Sequence, residues 1–241
     1  AIRKFHKLMS KRVAIVQSNY IPWKGYFDLI NSVDEFILYD DMQYTRRDWR
    51  NRNKIKTPNG LQWLSISVDA KGKFEQKICE TKISDKNWAK NHWKTLCFNY
   101  GKAPYFKEYK DKFEELYLKA EKEDLLSQVN YLFIKAFCDE LGIQTKLSWS
   151  MDYGVCDGKT ERLVDLCKKA EAAHYLSGPA AKDYIVDELF AEANVELSYI
   201  DYSGYKEYPQ LFGDFEHGVS ILDLIFNAGE ESRNYLKSFS N

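Results

Sequence analysis

The chain has 241 residues, 44% of them hydrophobic and 29% charged, the proportions of an ordinary globular protein. Its net charge of −1 excludes an overall field drawing it to nucleic acid or to an acidic membrane surface. No apolar stretch approaches the length of a membrane span, so no membrane insertion is expected.

The elements are read in chain order. Residues 1–8 are basic and lack the apolar core of a signal peptide, so they read as an N-terminal extension before Met9-Ser10-Lys11. A buried first strand is predicted over 12–17, where Val13 to Val16 is apolar and mostly β-branched. A helix over 23–32 follows a turn holding Pro22, and 35–40 is a second strand. Residues 62–69 and 77–84, joined through Gly72, suggest a hairpin. Three helices are predicted over 85–99, 105–119 and 124–141, with Ser84 as a candidate cap and Gly142 past the last end. Beyond them come strands over 146–149, 174–176 and 195–201, and helices over 159–172, 180–193, 219–226 and 231–238. Strands alternating with helices predict an α/β fold: a Rossmann-like, mostly parallel sheet flanked by helices, in a single domain over 9–241. The helical block at 85–141 would be an insertion or a subdomain within it.

Two apolar strands end in dense polar and aromatic clusters, where ligands bind in such sheets. The first is Gln17, Ser18, Asn19, Tyr20, Pro22, Trp23, Gly25 and Tyr26. Gly25 would let a ligand or a neighbouring backbone come close, and helix-start amides can hold an anion. The plainer reading is a strand–helix turn with aromatic packing. The second cluster is Asp40, Asp41, Gln43 and Tyr44, followed by Arg50-Asn51-Arg52-Asn53-Lys54. Adjacent carboxylates on an extended segment point opposite ways, so one serves as a base and the other as a cap or ion pair. Arg50 and Arg52 share a side if their segment is extended and would match phosphate geometry. Their alternative is a solvated charged loop, or pairing with Asp40, Asp41 or Asp48. Ser177 and Gly178 follow a later strand and would either cradle phosphate or cap a helix. The 17 Tyr, 14 Phe and 6 Trp suit sugar or base stacking, or a tyrosine-rich core. The five cysteines lack C-x-x-C spacing and the four histidines lack zinc-ligand spacing, so free thiols and no metal-binding residues are expected.

These motifs resemble one known group. Gln17, Asn19-Tyr20, Pro22-Trp23, Gly25 to Asp28, Asp40-Asp41, Gln43-Tyr44 and Arg50-Asn51-Arg52, with Tyr175 to Gly178, Tyr208-Pro209-Gln210 and Ser220 to Asp223, are similar to the WbqC-like protein family. The resemblance runs from about residue 12 to about residue 230. It implies a cytoplasmic enzyme of bacterial O-antigen or other surface-polysaccharide biosynthesis. Its reaction would transfer an aminoacyl (glycyl) or acyl group to the amino group of a nucleotide-linked sugar. ATP with Mg²⁺ is a candidate requirement. The alternative is a non-catalytic sugar-nucleotide or carbohydrate-binding protein of the same pathway. More distantly, W-x-G-Y at 23–26 is placed like the H-x-G-H of adenylate-forming nucleotidyltransferases, but Trp23 and Tyr26 replace both histidines. The expected roles follow: Arg50, Arg52 and Lys54 on phosphates, Tyr20, Trp23 and Tyr44 stacking, Gln17, Asn19 and Asn51 on hydroxyls, and Asp40 or Asp41 as base. Both clusters should then form one pocket.

Overall fold

The computed structural model describes residues 10–154 and 156–239. The expected extension at 1–8 lies outside the described residues. Five strands form one sheet: β1 (Arg12–Val16), β2 (Glu35–Leu38), β5 (Lys146–Trp149), β6 (His174–Ser177) and β7 (Glu196–Tyr199), in the order β5-β2-β1-β6-β7. All four pairings are parallel.

Alternate side chains of these strands enter two apolar layers, as a period of two requires. Ala14, Phe36, Leu38 and Leu176 face α1 (Lys24–Asn31), α2 (Trp88–Tyr100), α3 (Phe106–Glu121), α4 (Leu126–Leu141) and α7 (Ile221–Ala228). Val13, Ile15, Ile37, Tyr39 and Tyr175 face α5 (Thr160–Lys169), the turn Pro179–Asp183 and α6 (Asp187–Glu192). With both faces covered, the central β1 and β2 read as near-continuous apolar runs.

The chain builds outward from β1 to β2 and β5, then crosses to the other side of β1 for β6 and β7. The connection after β1 leads to α1 on one face, and the turn after β6 packs on the other. The β1–β2 ladder runs the whole way to Val16↔Leu38, but the β1–β6 ladder stops at Val13↔Tyr175. Beyond that point β1 and β6 part, which leaves a crevice at their carboxyl ends.

Three segments differ from their sequence reading. The hairpin is β3 (Arg52–Thr57) and β4 (Gly60–Ser65), not 62–69 with 77–84. Asn59-Gly60 is the turn signal, Gly60 takes φ +105°, and the Thr57 hydroxyl donates to the Gly60 carbonyl (2.8 Å). Residues 77–84 instead hold a 3₁₀ turn at Ile78–Glu80 and isolated bridges. The helix expected over 180–193 breaks at Tyr184-Ile185-Val186, where β-branched residues lower helix propensity. The helix expected over 231–238 is two 3₁₀ turns, Gly229–Tyr235 and Lys237–Phe239. All five cysteines are free thiols, and none of the described helices is long and apolar enough to cross a membrane.

Candidate functional site

A cavity of about 470 Å³ occupies the crevice between β1 and β6. Gln17 reaches it from the end of β1, Ser177 and Gly178 from the end of β6, Lys159 and Thr160 from the start of α5, and Tyr184 from the opposite wall. Where strand order reverses in an open parallel sheet, neighbouring connections leave to opposite faces, and ligands lodge between them. Gly178 has φ −65°, and a Cβ there would meet nothing within 4 Å. Its lack of a side chain leaves backbone groups open to a ligand.

The structure sends the two adjacent carboxylates to different partners. Asp40 is fully buried. It accepts the Ser18 amide (2.8 Å), the Ser18 hydroxyl (2.6 Å) and the Ser127 hydroxyl (2.6 Å). Burial raises its pKa, and these bonds oppose the rise. It therefore ties the loop after β1 to α4. Asp41 accepts the Ser150 hydroxyl (2.5 Å) and Arg162 Nη2 (2.7 Å). Tyr39 and Met42, which bracket Asp40-Asp41 in the chain, line the cavity.

Several predicted site residues turn inward. Tyr20 is buried against Trp88 and Phe133. The Ser65 carbonyl can only accept, so His92 Nε2 carries the proton (2.9 Å) and Nδ1 accepts the Tyr20 hydroxyl (2.8 Å). Tyr117 then donates to Tyr20 (2.6 Å). Burial lowers His92 to about 4, so this chain stays neutral. Tyr26 is buried and donates to the Gln17 carbonyl (3.0 Å). Tyr44 is buried, and Gln43 donates to the Phe74 carbonyl. The Asn51 amide donates to the Ile66 carbonyl (2.9 Å), leaving its buried Oδ1 without a protein partner.

Arg50 is mostly buried and serves the same loop. It donates to the Asn19 side chain, the Gln17 carbonyl (3.4 Å) and Asp48 (3.4 Å). Arg50→Ala is expected to cost about 1.5–3 kcal/mol, the scale of a charged hydrogen bond. Arg50→Lys should recover only part of this, because a point charge cannot span the same acceptors. Urea unfolding of the two variants checks both.

Residues of the two clusters are divided between two cavities: Gln17 lines the crevice, while Asn19 and Trp23 of the first cluster meet Asn53 of the second elsewhere. Asn19 and Trp23 line a second pocket of about 260 Å³ with Trp49, Asn53 and Gly218. Arg52 and Lys54 do not line it; Arg52 lies 3.9 Å from the Trp63 ring centroid, and Lys54 lies 4.8 Å from it and 6.0 Å from that of Trp49. Gly25 does not admit a ligand or a backbone, for a Cβ there would come within 2.1 Å of the Trp23 indole. Its role is to let that indole fold back onto the start of α1. Ile21, buried in the preceding turn, takes φ +36°, a conformation costly for a β-branched residue.

Sequence reasoning passed over Lys24 and His217. Lys24 is buried in α1, and its Nζ lies 2.5 Å from His217 Nδ1. It sits 5.1, 5.6 and 5.3 Å from the rings of Tyr205, Tyr208 and Phe215. Burial lowers it to about 8, although Asp223 and Glu207 oppose the shift. The Asp223 carboxylate is occupied by Tyr100 (2.8 Å), Tyr208 (2.5 Å) and Gln210 (2.8 Å). The available signal was weak: a lysine inside an aromatic cluster, and a lone histidine in a separate segment.

Comparison with known proteins places this arrangement among relatives. The family model described as "WbqC-like protein family" matches residues 17–235. The chain is 55% identical over 227 residues to "Uncharacterized protein Rv1507c" of Mycobacterium tuberculosis, covering 94% of this chain and 98% of that one. No solved structure matches the chain.

Proposed function

The chain belongs to the WbqC-like protein family, and on that footing we propose that it is a cytoplasmic transferase acting on a nucleotide-linked amino sugar in surface-polysaccharide biosynthesis. The frame is read as a single Rossmann-like α/β unit, with α2, α3 and α4 as an insertion. One observation carries the proposal: β1 and β6 part after Val13↔Tyr175, and the resulting cavity joins Gln17 to Ser177 and Gly178. Its volume lies within the range of small-ligand sites. The backbone at Ser177 and Gly178 would hold the diphosphate, helped by Lys159, with Gln17 on a sugar hydroxyl.

In the transfer step, the sugar amine attacks the carbonyl carbon of an aminoacyl adenylate. The amide bond forms, the bond to AMP breaks, and a base takes the amine proton. Asp41 is assigned that role because Met42, next to it in the chain, lines the cavity. Asp40 is assigned to positioning the loop. Among the described residues no three His, Cys, Asp or Glu side chains converge as metal ligands. A second reading, non-catalytic binding, is favoured by the bonds that already engage both carboxylates.

The test is a thermal melt with a nucleoside-diphosphate-linked amino sugar. At a hundred times Kd, a ligand adds about 2.7 kcal/mol, a rise of roughly 5–10 °C for a chain of this size. Gly178→Trp would fill the cavity without backbone strain and should abolish the rise. A rise retained in that variant would remove the cavity from the proposal. Mass-spectrometric detection of the amide after adding amino acid and ATP separates transfer from binding alone.

A further inference from the structure

We propose that the pocket between Trp23 and Trp49 is a second binding site, taking a pyranose that bears a carboxylate or phosphate. It shares no lining residue with the crevice between β1 and β6, so it stands whether or not the nucleotide-sugar reading does.

The walls suit a sugar ring. Trp23 is held edge-on by Tyr202 at 5.0 Å and Tyr205 at 5.8 Å, so its indole is set before any ligand arrives. Trp49, which lines the pocket, is 39% exposed, and the equally exposed Trp63 lies 5.4 Å from it, outside the lining. Large aromatic surfaces left in contact with water beside a pocket offer stacking area for the C–H face of a pyranose. A rigid wall also spares the ordering cost of binding.

Hydroxyl recognition comes from Asn19. Arg50 donates to Asn19 Oδ1, and a guanidinium cannot accept, so the amide orientation is fixed. Asn19 Nδ2 remains a donor with no described protein partner. Asn53 is committed instead, donating to the Tyr20 carbonyl (3.1 Å) and accepting the Lys54 amide (2.9 Å). Gly218 closes the ring of residues, with nothing within 4 Å of where a Cβ would stand.

The negative group follows from the hairpin. Arg52 and Lys54 lie two residues apart on β3, and both reach the Trp63 ring. Neither belongs to any ion pair among the described residues. Arg52 donates Nη2 to the Arg47 carbonyl (2.7 Å), while its buried Nε has no protein partner. Lys54 also stands 6.0 Å from the ring of Trp49, which lines the pocket, so in a chain whose net charge is −1 two cations without carboxylates next to that wall make a local positive field. An acidic or phosphorylated sugar supplies the missing charge, and the indoles take its ring.

The experiment is calorimetric titration of the full chain with glucuronate, glucose 6-phosphate, glucose and inorganic phosphate. Saturable binding of glucuronate identifies a carboxylate ligand, and saturable binding of glucose 6-phosphate identifies a phosphate ligand. Glucose should bind about ten-fold to a hundred-fold more weakly, the worth of a charged hydrogen bond. Inorganic phosphate should bind no better than glucose. Trp49→Ala, which removes a partly exposed ring, should fold by circular dichroism and lose the anionic sugar. Arg52→Ala with Lys54→Ala should erase the preference over glucose. Gly178→Trp should leave binding intact, which separates this site from the crevice. Failure of both anionic sugars to bind, or unchanged affinity in Trp49→Ala, overturns the proposal.

Discussion

Asp40→Ala is expected to destabilise the fold by on the order of 3–5 kcal/mol, because it strands three buried donors that each cost about 1–3 kcal/mol when unpaired. The donors are the Ser18 amide, the Ser18 hydroxyl and the Ser127 hydroxyl. The damage would spread, since Asn130 donates to both the Ser18 hydroxyl (3.0 Å) and the Arg50 carbonyl (2.9 Å). At roughly 2–4 °C per kcal/mol for this chain length, the melting temperature should fall by about 6–20 °C. Asp40→Asn keeps the shape and the acceptor oxygen, and should cost far less.

The pH dependence has a definite sign. Burial raises Asp40 above its ordinary value of 3.8, so between the unfolded and folded values the native state binds more protons. Stability from this group is present below the unfolded value and is lost as pH rises through the folded one. The advantage of the native chain over Asp40→Asn should therefore be greatest in acid and shrink as pH rises. Urea unfolding of both proteins at several pH values from 4 to 8 measures it. An advantage that grows with pH would mean that the serine bonds and the nearby Arg50 charge outweigh burial of the carboxylate.

β1 and β2 were legible because each is a short, mostly buried apolar run, and β5 lies where its residues predicted. The β3–β4 hairpin was misplaced because Arg52-Asn53-Lys54-Ile55-Lys56-Thr57 carries its alternation in charged and amide side chains. Asn59-Gly60 was the better marker. At the site, position in the chain marked the strand ends but not the direction of each side chain. Gln17, Ser177 and Gly178 meet at the crevice, whereas Tyr20 goes inward to His92 and Tyr117. These partners lie 72 and 97 residues away, and no local spacing announces them. Lys24 and His217 are 193 residues apart, so their pairing is likewise a product of the fold.

Lys24→Met should raise stability at neutral pH, by about 1–4 kcal/mol if it behaves like other replacements of a buried charge by an apolar side chain of similar volume. The ammonium is enclosed by Tyr205, Tyr208 and Phe215, and no described carboxylate lies within ion-pair reach of it. Cation–π attraction offsets part of the burial cost, but a thioether on the same rings regains part of that contact. His217 is only partly buried, so its ring nitrogen can return to water when the amine is removed. The sign with pH follows from the shift. Lys24 titrates at about 8 in the folded chain, against 10.5 ordinarily. Between those values the unfolded chain holds more protons than the native one, so native stability climbs with pH. Below 8 the charge is present in both states and its burial cost is felt in full. The gain from Lys24→Met should therefore be largest at pH 6–7 and fade towards pH 10. Thermal melts of the two proteins across that range give the difference directly. A variant less stable than the native chain at pH 7 would mean that the His217 bond, together with the long-range pull of Asp223 and Glu207, outweighs desolvation of the amine.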